Sequence, residues 1–96
     1  PVTPVSVADA LTAPFAGTLA VELCGALGVD AVLVSDDEIR EAFRTLYGRA
    51  KLAVEPGAAA GLAAVLAGRV EGDRIAVVVS GGNVSPRIAS DILAGR

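Results

Sequence analysis

The chain has no histidine, methionine or tryptophan, and it carries one cysteine, one tyrosine and two phenylalanines. Without histidine, neither a Ser–His–Asp triad nor a histidine-ligated metal site can exist within this chain. The lone Cys24 excludes an internal disulfide framework. Positive charge is scarce: 8 Lys and Arg stand against 11 Asp and Glu, for a formal net charge of −3. Nucleic acid is therefore not an expected partner, because phosphate binding needs clustered Lys and Arg. Disorder is excluded by the 53% hydrophobic and only 20% charged composition.

Long apolar runs are missing too. Residues 10–21 are uncharged but contain Pro14 and Gly17, and spanning a membrane needs roughly 20 mostly apolar residues. The opening PVTPVSVADA has neither the positive start nor the apolar core of a signal peptide. No membrane is expected, and the cytoplasm is the default compartment. The lack of methionine is what a missing or a processed start would each leave.

What is present is mostly Ala, Val, Leu and Gly. The length, 96 residues, suits one unit over residues 1–96. Small side chains let backbones approach closely but bury little area. A domain of this size hides only ~60–65% of its unfolded surface, and each buried Å² contributes ~25 cal/mol. The unit is therefore expected to pack against a larger body.

Residues 1–17 carry three prolines and read as an extended lead and a loop. Leu19, Leu23, Ala26 and Leu27 recur at helical spacing, and Gly28 suits a left-handed helix end. Residues 31–34 (AVLV) read as a short buried strand. Ser35 with Glu38 three residues on is a capping box, and Asp36, Asp37 and Glu38 suit the positive end of a helix dipole. That helix places Ile39, Ala42, Phe43, Leu46 and Ala50 on one face, with Asp36 and Arg40 as an acid-first pair on another. Glu55-Pro56 opens a further helix of small residues that is expected to be buried on most sides and to end at Gly68. Residues 75–79 (IAVVV) have the look of a strand covered on both faces. Ser85 and Pro86 then cap and open a last helix. Strands alternating with helices predict an α/β fold with parallel strands, a three-layer piece of a larger domain. Two strands alone make no stable sheet.

The chemically informative motif is Ser80-Gly81-Gly82-Asn83, at the C-terminal end of the second expected strand. Open α/β sheets bind ligands there. Glycines let a backbone approach a ligand closely, and Ser80 offers a hydroxyl that donates or accepts. Taken alone, four such residues favour a plain turn. Glu55 by itself suits a helix start stabilised by the dipole. Lys51, the single lysine, reads as a solvent-facing charge, because a catalytic lysine needs a desolvated or charge-crowded site. Cys24 reads as a buried, inert helix residue. No catalytic residue is expected within this chain.

The wider succession changes the weight of the motif. VSVADALTAPFAG, the acidic capped helix, AKLAVEP, the alanine helix and SGGN after a valine run occur in one order. Together they resemble the C-terminal part of the threonine dehydratase and serine racemase family of fold-type II pyridoxal-phosphate enzymes. The resemblance implies a lyase that eliminates water from a hydroxy amino acid. It implies that Ser80 meets the pyridine nitrogen of pyridoxal 5'-phosphate, that Gly81 and Gly82 let the ring lie close, and that Asn83 braces the loop. It also puts Glu55 near the ring and Ala10 near its face. Ala10 stands where the family's Ala-Asp-Gly has glycine, and Gly57 stands where serine or threonine is more usual. The family's Schiff-base lysine and glycine-rich phosphate loop belong to a segment N-terminal to this stretch, so packing against that segment or as a homo-oligomer is expected. The alternative is a non-catalytic binding or assembly module that keeps the fold piece. An unrelated small-ligand domain would rest on the fold pattern alone.

Overall fold

A computed structural model describes residues 3–96. Pro1 and Val2, the start of the expected extended lead, lie outside the described residues. Helices α1 (Thr18–Ala26), α2 (Asp36–Gly48), α3 (Ala60–Leu66) and α4 (Pro86–Leu93) follow in order, with short 3-10 turns at Asp9–Leu11 and Pro56–Ala59.

Helix α2 is the centre of the fold. Ser35 Oγ accepts from the Glu38 amide, and the Glu38 carboxylate accepts from the Ser35 amide, so the capping box closes. Ile39, Ala42, Phe43 and Leu46 are buried, as the spacing predicts, but Ala50 lies beyond the helix and is exposed. The helix stops at Gly48, and the chain turns through Lys51, which holds a left-handed φ of 59°. Around α2 gather Val54, Ala58, Ala59, Ala63, Ile92 and Ala8. Arg44 Nε donates to the Ile92 carbonyl at 2.7 Å, tying α2 to the last turn of α4. Arg69 donates to the Glu38 carboxylate at 2.6 Å, tying the turn after α3 back to the start of α2.

The Asp36–Arg40 pair takes a different form. Arg40 donates to Asp37, while Asp36 turns towards Ser6 and Val7. The helix expected after Glu55-Pro56 begins as a 3-10 turn and becomes α-helical at Ala60. Its buried residues are Pro56, Ala58, Ala59, Ala63 and Ala64, while Gly61 and Leu66 stay exposed. Helix α1 lies where its spacing predicts and Gly28 takes φ 67°, yet none of its residues is buried.

The expected α/β architecture is not what the structure shows. No strand occurs among the described residues, so there is no parallel sheet and no three-layer piece. Residues 31–34 and 75–79 have the composition of strands without the partners. A strand exists only when a neighbour takes its N–H and C=O groups, and neither run enters a ladder. The expected burial fails with it: Leu33 is 88% exposed and Val78 is 87% exposed. No helix of the described residues is long and apolar enough to cross a membrane.

Candidate functional site

The Ser80-Gly81-Gly82-Asn83 loop is held from below by Glu55. The Glu55 amide donates to the Gly81 carbonyl at 3.2 Å, and the Asn83 amide donates to Glu55 Oε2 at 3.0 Å. One residue thus engages the loop through both its backbone and its side chain. Glu55 can do this because Pro56 starts the 3-10 turn immediately after it, which leaves its own backbone extended at φ −80° and ψ 158°. Val54 and Pro56 on either side are buried, so Glu55 sits on an anchored segment.

The glycines of the loop have a specific cause. A Cβ built on Gly81 would fall 2.6 Å from Glu55 Cδ and 2.7 Å from Glu55 Oε2. Gly81 also holds φ 103°, a region side chains disfavour. The carboxyl group of Glu55 therefore fills the place of the missing side chain. Gly82 comes close to the Ala53 carbonyl, where an added Cβ would sit at 3.5 Å. Ser80 itself is exposed.

Ala10 joins the same neighbourhood from far away in the chain. It lies in the turn Asp9–Leu11, and its Cβ would be 3.6 Å from a Cβ built on Gly57. That position is also 3.6 Å from Leu11 Cγ and 3.8 Å from Glu55 Oε1. Glu55 is therefore the common neighbour of Gly57 and the loop. Ala10 has no positive φ, so its backbone has no need of the glycine usual in the related family.

Not every predicted residue lines one cavity. An open cleft of about 420 Å³ runs between residues 6–9, Arg40 of α2 and the start of α4. Asn83 reaches its wall, while Ser80, Gly81, Gly82, Glu55 and Ala10 do not. Lys51 is exposed and donates to the Gly48 carbonyl at 2.6 Å, a helix-end contact. Cys24 is exposed rather than packed.

Residue spacing missed one part of this site. Ser6 Oγ donates to Asp36 Oδ1 at 2.5 Å, and the Val7 amide donates to Asp36 Oδ2 at 3.0 Å. The Ser6 hydrogen bond, then that of Val7, holds the Asp36 carboxyl below the usual carboxylate range. The partners are 30 and 29 positions apart, so no local pattern signals them.

Residues 1–81 match the family described as Pyridoxal-phosphate dependent enzyme. The chain belongs to that family. Pyridoxal phosphate is the family's cofactor, as the sequence resemblance implies. Among similar proteins, a phenylserine dehydratase of Ralstonia pickettii is 41% identical over 81 residues, covering 81% of this chain and 25% of that protein. A serine racemase of Oryza sativa subsp. indica is 38% identical over 86 residues, covering 82% of this chain and 25% of that protein. An L-threonine ammonia-lyase of Thermotoga maritima is 34% identical over 89 residues, covering 92% and 22%. The chain therefore spans about a quarter of the length of these relatives.

The residues present fit the family's cofactor. An exposed serine hydroxyl begins a loop of two glycines, and that loop is clamped from behind by Glu55. With the space behind Gly81 filled by Glu55, the exposed face of the loop carries no side chain between Ser80 and Asn83.

Proposed function

We propose that this chain is the C-terminal portion of the catalytic domain of a pyridoxal-phosphate-dependent dehydratase-like lyase, and that it presents Ser80 to the cofactor's pyridine nitrogen. The complete protein would eliminate water from a hydroxy amino acid, with ammonia released afterwards. The observation that carries this reading is the double engagement of the loop by Glu55, which gives Ser80 a fixed base. The relatives named as dehydratase and ammonia-lyase support the reaction class.

The bound cofactor supplies an electron sink for bond breaking at the amino acid's α-carbon. The protein's own contribution at this loop is orientation and control of charge. The Ser80 hydroxyl offers one hydrogen bond without a negative charge. A carboxylate there would hold a proton on the ring nitrogen, whereas a hydroxyl does not. Glu55 fixes the loop through Gly81 and Asn83 and so sets the distance from Ser80 to its acceptor. Gly57, with Ala10 against it, forms a small, uncharged flank near Glu55. Helix α1 and the residue that ends it, with Leu19, Leu23 and Leu27 exposed, are available to pack on the remainder of the catalytic domain or on a second copy.

The test uses the full-length protein that carries this sequence. Wild type, Ser80→Ala and Ser80→Asp are loaded with pyridoxal phosphate, and cofactor retention, absorbance and 2-oxo acid formation from serine and threonine are measured. Wild type is expected to retain the cofactor and form the 2-oxo acid. Ser80→Ala should weaken retention by about tenfold, the scale of one lost hydrogen bond. Ser80→Asp should shift the absorbance spectrum and slow elimination. A wild type that retains no cofactor, or a Ser80→Asp protein with an unchanged spectrum, overturns the proposal.

A further inference from the structure

We infer that Asp36 is a positioning residue for segment 6–10, clipping to helix α2 the stretch of chain that carries Ala10 against Gly57. This inference rests on the proposed function above.

The clip is complete in hydrogen-bond terms. Each carboxylate oxygen of Asp36 has its own donor, Ser6 Oγ on Oδ1 and the Val7 amide on Oδ2. Ser6 Oγ in turn accepts from the Ala8 amide at 3.1 Å. Asp36 therefore fixes two consecutive residues directly, and the Ser6 hydroxyl holds the third. Such charge-assisted bonds are stronger than neutral ones. Asp36 is itself anchored as the first residue of α2, directly after the Ser35 N-cap. The clipped chain continues through Ala8, which is buried in the core, to the turn Asp9–Leu11. There Ala10 and Leu11 flank Gly57, whose neighbour is the Glu55 carboxylate.

An Asp at the start of a helix is ordinarily explained by the dipole. Here the dipole cannot be the whole account, because both oxygens are directed to a segment 29 and 30 positions away. The geometry gives Asp36 a task that Asp37, exposed and paired with Arg40, does not share.

The test again uses the full-length protein. Ser6→Ala removes the Oδ1 half of the clip and the Ala8 contact from the loop side and leaves α2 untouched. Asp36→Ala breaks it from the helix side. Ser6→Thr keeps the hydroxyl and serves as the rescue. Two quantities are read: amide hydrogen exchange at Val7 and Ala8, and the dissociation constant for pyridoxal phosphate. Ser6→Ala and Asp36→Ala should speed exchange by about tenfold and weaken cofactor binding several-fold, with Ser6→Thr near wild type in both. Faster exchange with unchanged cofactor binding makes the clip merely structural and overturns the inference. Unchanged exchange in Ser6→Ala overturns it as well. A wild type that binds no pyridoxal phosphate removes the proposed function, and this inference with it. Wild type that binds beside a Ser6→Ala protein that binds equally removes only this inference.

Discussion

The Glu55 carboxyl group occupies the space in which residue 81 would carry its side chain: a Cβ at Gly81 would lie 2.6 Å from Glu55 Cδ. Glycine at 81 and glutamate at 55 are thus two halves of one contact, made 26 positions apart. The contact holds the loop that begins with Ser80, because the same carboxylate accepts from the Asn83 amide.

Gly81→Ala should therefore be the most damaging alanine replacement among the glycines near the site. It combines a clash with a φ of 103°, and strain of this kind costs about 1–3 kcal/mol. Gly57→Ala should leave stability within about 0.5 kcal/mol, because its added Cβ meets its nearest neighbours at 3.6 Å, an ordinary contact. Denaturant midpoints of the two variants check this ordering, and equal midpoints would contradict it.

Acid should loosen the junction between α2 and the turn after α3. The hydrogen bond from Arg69, then that from the Ser35 amide, lowers the Glu38 pKa from 4.5 to about 2. The folded value lies below the unfolded one, so this contribution is fully present above about pH 4.5. It is lost as pH falls from there towards 2. Thermal melts across that window should show a slope that Glu38→Gln reduces. Added salt should reduce it too, since the pair is solvent-exposed. A slope identical in Glu38→Gln would assign the acid sensitivity elsewhere.

Phe43 is the large aromatic anchor of the core, 2% exposed on the buried face of α2. Phe43→Ala should cost about 3–5 kcal/mol. Half of the buried cluster is alanine, so little side-chain volume is at hand to fill the cavity. Equilibrium urea unfolding measures the loss, and a cost under about 1 kcal/mol would show that the core closes around the gap.

Helix α4 starts just beyond the Ser80 loop, and Ser85 Oγ accepts from the Ile88 amide at 3.2 Å. Ser85→Ala should destabilise the helix start by about 1 kcal/mol, and Ser85→Thr should recover most of it. Amide exchange at Ile88 reports the effect directly. Protection at Ile88 that is unchanged in Ser85→Ala would mean that Pro86 alone sets the helix start.

The local elements were legible in the residues because their causes are local. Ser35 and Glu38 specify the start of α2 through bonds spanning three positions, and Ser85-Pro86 specifies α4 in the same way. Ile39, Phe43 and Leu46 lie on one face by helical period alone. The family, too, was readable from the order of short motifs, and residues 1–81 match it.

What the residues could not decide was anything requiring a distant partner. Residues 31–34 and 75–79 have strand-like composition, yet a strand is a relation between two segments, and here neither run has one. The spacing of α1 is helical, but whether Leu19 and Leu23 are buried depends on what lies against them. The Glu55–Gly81 contact, the nearness of Ala10 to Gly57, and the Asp36 clip all join residues far apart in the chain. Capping and helical period are determined by sequence alone, because a few neighbouring residues supply every group involved. Only tertiary structure decided which carboxylate holds which loop, because that choice depends on packing α2 against the segments that come before and after it.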